Sequence, residues 1–160
     1  MNAAHVHLLL NHFPITGGLI ALALLAYGWV RRNDVIVRAA AVLFVAIALL
    51  TVVTFLSGEP AEHVLEAGPG VAENLVHEHE EAGQFALILY GVLGVSSLYT
   101  LVRYARRAVP RSLGGVLLVV AAVTVAAAAR VGWLGGPIVH EEVRSGAVAP
   151  TAEAAEDDED

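Results

Sequence analysis

The sequence predicts an all-α membrane protein, a four-transmembrane-helix bundle with both termini on the outer side of the membrane. Three features predict this fold: four long apolar runs, arginine-rich loops on one side of these runs, and acidic, histidine-rich segments on the other. The chain has 160 residues, of which 57% are hydrophobic and 16% are charged. A soluble domain of this size would carry more charge, and its shell would be too small to bury four apolar helices.

Each apolar run has the length of a helix that crosses the hydrocarbon core, which takes about 20 residues. The four runs are Phe13–Val30, Val35–Ser57, Gly83–Val102 and Leu113–Leu134. The first run does not have the pattern of a cleavable signal peptide, because Arg31 and Arg32 follow the apolar stretch instead of preceding it.

The loops predict the orientation of these helices. Seven of the nine basic residues, all arginines, fall in two short loops on one side, and such loops stay in the cytoplasm. They are Arg31, Arg32, Arg38, Arg103, Arg106, Arg107 and Arg111. The opposite side carries all seven histidines and every acidic residue except Asp34. We therefore expect an N-out/C-out protein.

The short arginine-side connections predict two antiparallel hairpins. A short helical outer loop should join helices 2 and 3, with a second short helix over Val71–His79 that leads into helix 3. Paired glycines and Pro137 should end helix 4. The transmembrane domain then spans residues 1–144, and the Ala-, Pro-, Glu- and Asp-rich residues 145–160 are expected to form a disordered tail.

The two hairpins also resemble each other in sequence. A shift of 72 residues pairs His5 with His77, His7 with His79, Phe13 with Phe85, Tyr27 with Tyr99, and Arg31 with Arg103. Leu56-Ser-Gly at the end of helix 2 likewise resembles Leu134-Gly-Gly near the end of helix 4. A true repeat would relate the halves by an axis along the membrane normal.

Ionisable side chains collect at one predicted depth. Counting about 20 residues from each arginine-side helix end places groups from all four helices near the outer hydrocarbon boundary. Such groups tend to be functional, and histidine with carboxylate but no cysteine suits Zn, Fe, Mn or Cu. The predicted metal ligands are His12, His79, His140, Glu62, Glu66 and Glu80. Glu59, His63, His77, Arg130 and Glu141 are lower-ranked or supporting residues.

At these residues the chain resembles a bacterial family of four-helix integral membrane proteins of unknown function. The shared motifs are His12-Phe-Pro-Ile15, Gly58-Glu-Pro-Ala-Glu62, His79-Glu-Glu-Ala82 and Gly135-Gly-Pro-Ile-Val-His140-Glu. The residue before the last histidine is often arginine in that family, whereas here it is Val139. The resemblance implies a place in the bacterial inner (cytoplasmic) membrane and neighbours among respiratory components. The arginine distribution predicts that the site faces the periplasm.

Three functions remain open at this point. The first is a membrane protein that binds one or two transition-metal ions at the outer mouth of the bundle, with a redox role or without one. The second is a b-type haem electron carrier with His12 and His79 as axial ligands. The third is a structural accessory subunit of a membrane complex.

The sequence restricts the partners more than the chemistry. The lipid bilayer and a metal ion are predicted partners, with a second copy of the chain or a respiratory-complex neighbour as further candidates. Nucleic acid is not expected at a formal net charge of −7. The sequence leaves enzymatic activity undecided, because a metal ion with an open coordination position would permit it.

Overall fold

The described part of the chain is helical apart from short turns, which confirms the all-α class. The computed structural model describes residues 3 to 58, residue 60 and residues 73 to 139. Its helices are α1 (Ala3–Leu10), α2 (Phe13–Arg31), α3 (Asp34–Leu56), α4 (Glu73–Arg103) and α5 (Arg111–Val139). Four helical stretches are long and apolar enough to cross a membrane, the first of them continuing from α1 into α2.

The four long helices form an antiparallel bundle in which they follow one another around a ring. α3 packs between α2 and α4, and α5 packs between α4 and α2. The short helix α1 lies against α3. One end of the bundle, here called the arginine end, holds the connections α2–α3 and α4–α5. The other, here called the histidine end, holds α1, the start of α4 and the last turns of α3 and α5.

The polarity of the bundle is that of a membrane protein. Its outward faces expose large apolar side chains such as Leu49, Val95 and Val119, and extensive apolar surface marks contact with a membrane or another protein. Hydroxyl groups lie in the interior instead: the Thr51 and Thr124 hydroxyls each donate to the carbonyl four residues earlier, at 2.8 Å. Such local bonding satisfies polar groups without water.

The arginine end is closed by specific caps. Arg32 ends α2 in the left-handed conformation, with φ of 53°. The Asn33 side chain then caps α3 by accepting from the backbone N–H groups of Val35 at 3.0 Å and Ile36 at 3.3 Å. Such an N-cap satisfies donors that a helix start leaves unpaired. The connection between α2 and α3 is therefore short and defined.

The second arginine-end connection is tied to the first by side chains. Arg38 donates to the Arg107 carbonyl at 2.8 Å, and the Asp34 carboxylate accepts from the Val109 backbone N–H at 3.2 Å. Trp29 contributes separately, because its indole N–H donates to the Arg111 carbonyl at 3.0 Å. These bonds fix the arginine ends of the two hairpins against each other.

Two predicted helix boundaries were wrong. The expected short helix over Val71–His79 is not separate, because α4 runs without interruption from Glu73 to Arg103. The interval from Glu73 to Gln84 contains no proline, and Gly83 is accommodated within the helix. Val71 itself lies outside the described residues.

The glycines and Pro137 do not end the last helix, because α5 continues through them to Val139. Neither Gly135 nor Gly136 adopts the left-handed conformation that a glycine cap requires. Proline fixes φ near the helical value and removes only one donor, a loss that membrane helices tolerate. The stretch therefore extends α5 to Val139.

The burial pattern supports the internal repeat and corrects its register. In α2 and α4 the shift is 72 residues throughout. The buried positions Pro14, Gly18, Ala21, Leu25 and Gly28 correspond to Ala86, Tyr90, Leu93, Ser97 and Thr100, all of them also buried. The buried positions of α2 and α4 therefore coincide under this shift.

In α3 and α5 the shift is 77 residues. The buried positions Val37, Ala40, Phe44, Ile47 and Thr51 correspond to Gly114, Leu117, Ala121, Thr124 and Ala128, which are buried as well. The five additional residues fall in the connection, because residues 32–33 join the first hairpin and residues 104–110 join the second. The predicted pairing of Leu56-Ser-Gly with Leu134-Gly-Gly, a shift of 78 residues, therefore differs by one position from the shift that aligns the buried residues.

Candidate functional site

The histidine end contains two partly buried imidazoles. His7 on α1 has its Nδ1 at 3.1 Å from the Thr54 carbonyl oxygen and 3.2 Å from Ser57 Oγ, both at the end of α3. Ser57 Oγ itself donates to the Thr54 carbonyl at 2.7 Å. Because the carbonyl can only accept, Nδ1 of His7 must carry the proton.

His79 on α4 makes the corresponding contact in the second hairpin. Its Nδ1 lies 3.0 Å from the carbonyl oxygen of Val131 on α5, and the same reasoning places a proton on that nitrogen. In the neutral form of such an imidazole, Nε2 keeps its lone pair. Each histidine thus presents Nε2 as an acceptor or a metal ligand.

The two contacts are equivalent under the internal repeat. His7 and His79 differ by 72 residues, the shift of the first helices, whereas Thr54 and Val131 differ by 77, the shift of the second helices. Each imidazole therefore donates to the same position of its own hairpin. The sequence resemblance between the two histidines is also a structural one.

A glycine lies beside each imidazole, four residues after the accepting carbonyl. A Cβ on Gly135 would lie 3.0 Å from Cε1 and 3.3 Å from Nδ1 of His79, whereas a Cβ on Gly58 would lie 3.6 Å from Cε1 of His7. These glycines again differ by 77 residues. Gly135 in particular leaves the space that His79 occupies.

The other described candidates are more exposed. His12 lies in the turn between α1 and α2 with an exposed side chain, and its carbonyl accepts from the Thr16 backbone and hydroxyl. Glu80 and Arg130 are exposed as well. His77 forms an exposed ion pair at 3.4 Å with Glu81, which lies one helical turn further along α4.

Six of the predicted site residues lie outside the described residues, so their predicted roles stay predictions. They are Glu59, Glu62, His63, Glu66, His140 and Glu141. Within residues 3–58, 60 and 73–139, no group of three or more His, Asp or Glu side chains is placed to hold a metal ion. Any site built on His7 and His79 therefore needs further ligands from solvent, a cofactor or the remaining segments.

His7 is partly buried, although it is not among the predicted metal ligands. The depth count favoured His12 because it measures position along the membrane normal and not the direction in which a side chain leaves its helix. The 72-residue repeat already paired His7 with His79, and that pairing was the available signal.

The histidine end and the arginine end together define the class of protein: a four-span helical membrane bundle with a pair of repeat-related histidines at one end. No protein-family model matches the chain, and no curated protein or solved structure is significantly similar to it. The resemblance to a bacterial membrane-protein family therefore stays a prediction.

Proposed function

We propose that this chain is an integral membrane metalloprotein that binds a transition metal at the histidine end of its bundle. The observation that carries the proposal is the bond from His79 Nδ1 to the Val131 carbonyl. Metal-ligating histidines almost always donate their other ring N–H to a carbonyl or carboxylate, which fixes the tautomer and raises ligand basicity. His79 has this arrangement.

The available donors are nitrogen and oxygen. His79 supplies an imidazole, Glu80 follows it on the same helix, and the chain contains no cysteine. Such donors suit Zn, Fe, Mn or Cu(II). The predicted ligands His12, His140, Glu62 and Glu66 complete this set in the proposal.

The orientation belongs to the same proposal. The distribution of arginines supports the arginine end in the cytoplasm and the histidine end at the periplasmic side of a bacterial inner membrane. A metal held there would be open to exchange with the external compartment. Fusing a periplasm-active reporter after the C-terminus should give activity, whereas a fusion in the 104–110 connection should not.

The direct test is metal analysis of the detergent-purified protein, together with its absorption spectrum. We expect bound transition metal in the unmodified protein and a reduced stoichiometry in His79→Ala, with His12→Ala as a second variant. The exposed His77, two residues from His79, gives the matched control His77→Ala. Unchanged metal content in His79→Ala, with the control folded equally well, would refute the proposal.

A b-type haem is the second candidate, because one specific observation favours it: two imidazoles related by the repeat, each with Nδ1 bonded to a carbonyl. Bis-histidine ligation in a helix bundle uses such a pair. Haem iron gives a Soret band, which a zinc or non-haem iron site does not. The same spectrum therefore decides between the two forms of bound metal.

A further inference from the structure

We propose that a pocket at the arginine end binds the phosphate group of an anionic phospholipid through the guanidinium groups of Arg32 and Arg111. The pocket lies at the opposite end of the bundle from the proposed metal, so the inference does not depend on that metal. It takes from the proposed function only the orientation, in which the arginine end meets the cytoplasmic leaflet.

The first step is the pocket itself, which lies where the two hairpins meet at the arginine end. It is formed by the end of α2, the start of α3, the α4–α5 connection and the start of α5, and its volume is about 420 Å³. Ligand sites in proteins have volumes of about 300–1,000 Å³, so this pocket is large enough for a phospholipid headgroup. The charged and aromatic residues of its wall are Trp29, Arg32, Asp34 and Arg111.

The second step is that the wall of the pocket is held in place before any ligand binds. Trp29 donates its indole N–H to the Arg111 carbonyl at 3.0 Å, and the Arg111 guanidinium lies 4.5 Å from the centroid of the same indole. A Cβ on Gly114 would lie 2.9 Å from Cδ1 of Trp29, so glycine at this position makes room for the ring. A wall that is already ordered lowers the entropy cost of binding.

The third step is that positive charge exceeds negative charge in the pocket. Its wall carries two guanidinium groups and the Asp34 carboxylate, whose Oδ2 already accepts from the Val109 N–H at 3.2 Å. Among the described residues, neither Arg32 nor Arg111 forms an ion pair. Stacking on Trp29 uses the face of the Arg111 guanidinium and leaves its N–H edge for an anion. Guanidinium groups bind phosphate oxygens through such edges.

The fourth step is a contrast between two equivalent helix starts. The 77-residue shift pairs Asn33 with Pro110 and Asp34 with Arg111. In α3 the Asn33 side chain caps the helix, and Asp34 places an acidic group in the first turn. The first turn of α5 has no acidic residue, and the proline side chain has no hydrogen-bond acceptor. Because the start of a helix attracts anions, a phosphate in the pocket would supply the negative charge that α5 lacks.

The position of the pocket favours a lipid over a soluble phosphate compound. Trp29 lies at the end of an apolar run, where tryptophan is typical of the boundary between membrane and water. Exposed apolar side chains continue from the pocket along both helices, with Val30 on α2 at 65% exposure and Val116 on α5 at 59%. These side chains can contact acyl chains. Basic pockets between transmembrane helices on the cytoplasmic side bind anionic headgroups.

The pocket contains an indole that can report on binding. The chain has two tryptophans, and Trp133, which is 81% exposed, lies near the histidine end. Trp133→Phe therefore leaves Trp29 as the one remaining indole. Its fluorescence is measured while dioleoylphosphatidylglycerol, dioleoylphosphatidylcholine or inorganic phosphate is added to the protein in detergent. We expect saturation by phosphatidylglycerol at a concentration about 10-fold lower than by either other probe, because it alone combines a net negative headgroup with acyl chains.

The variants remove one positive charge at a time in the Trp133→Phe background. Arg32→Gln and Arg111→Gln should each weaken phosphatidylglycerol binding by about 10-fold, because each loses a hydrogen bond to a charged group. Arg31→Gln and Arg106→Gln are the matched controls, since these two described arginines are exposed at the same end but are not part of the pocket wall. Each control should change the affinity by less than about 2-fold, because distant exposed charges are screened by salt. Circular dichroism verifies the helical content of every variant.

Asp34→Asn changes the pocket in the opposite direction. Asparagine keeps an oxygen that can accept from the Val109 N–H, but it removes the negative charge that the described wall contains. Phosphatidylglycerol should therefore bind about 5-fold more tightly, because a like charge near the phosphate is lost. Unchanged or weaker binding in Asp34→Asn would contradict an anion in this pocket.

The outcomes separate the pocket from its occupant. Equal losses in Arg32→Gln and Arg31→Gln would refute the pocket as the binding site. An unchanged Trp29 spectrum, together with no phosphatidylglycerol retained in native mass spectrometry, would refute binding altogether. If inorganic phosphate saturates the signal at the same concentration as phosphatidylglycerol, the occupant is a free phosphate and the lipid is refuted. None of these measurements involves a metal, so their failure is distinct from a failure of metal binding in His79→Ala.

Discussion

Gly94 on α4 lies against Ala48 on α3, so the closeness of these two helices can be tested by a single methyl group. A Cβ on Gly94 would lie 2.6 Å from the Ala48 Cβ, whereas carbon atoms in good contact are about 3.5–4.0 Å apart. The shortfall is therefore about 1 Å. The Ala48 methyl is fixed to its backbone and cannot rotate away, so relief requires movement of a helix.

Overpacking of this kind costs about 1–3 kcal/mol, and the better helix propensity of alanine offsets up to about 1 kcal/mol of it. We expect Gly94→Ala to lower the free energy of unfolding by about 1–2 kcal/mol, measured by SDS titration of the detergent-solubilised protein with circular dichroism. Gly91→Ala is the matched control, because a Cβ there meets nothing within 4 Å. It should be neutral or slightly stabilising.

The contact can be confirmed by exchanging the two residues. In Gly94→Ala with Ala48→Gly the methyl group moves to the other helix, so the double variant should be less destabilised than the sum of the single variants by at least about 1 kcal/mol. Equal effects of Gly91→Ala and Gly94→Ala, or simple additivity in the exchange, would show that α3 and α4 are not packed at this glycine.

Two further substitutions test contacts at the arginine end and in the core. Asn33→Ala removes the side chain that caps α3 and should lower the free energy of unfolding by about 1 kcal/mol. Asn33→Asp keeps a capping oxygen and should lose much less stability. Equal losses in the two variants would argue against the cap. Tyr90→Phe removes the hydroxyl that donates to the Pro14 carbonyl, and we expect a loss of about 1 kcal/mol in the same titration. Because the hydroxyl also occupies the space beside Gly18, Gly18→Ala should be better tolerated with Tyr90→Phe than alone, and no such coupling would contradict this packing.

Much of the fold was predictable because membrane helices are specified by length and apolar composition. The four apolar runs correspond to the four long helices, and the arginine-rich connections join α2 to α3 and α4 to α5. The end of α5 was not predictable from the same signals. Gly135 and Gly136 read as a helix stop, yet Gly135 has a packing reason: it accommodates the His79 ring.

The partial burial of the histidines was only partly predictable, for a geometric reason. Counting residues along a helix gives depth, so it correctly singled out His79 as a residue near the end of the bundle. The residue count does not tell in which direction a side chain leaves its helix, nor does it reveal the break between α1 and α2. These two features make His7 partly buried and His12 exposed. Only the carbonyl partners in the structure distinguish a half-buried imidazole from an exposed one.

The repeat also explains the unlike residues of the core. Gly18 and Tyr90 are equivalent positions that lie against each other, so two copies of Tyr90 would overfill the space between their helices and two copies of Gly18 would leave a void. Unlike residues fill that space better, and the core contains this large–small pair. A duplicated hairpin can therefore keep its pattern of buried positions while the residues at those positions diverge in size.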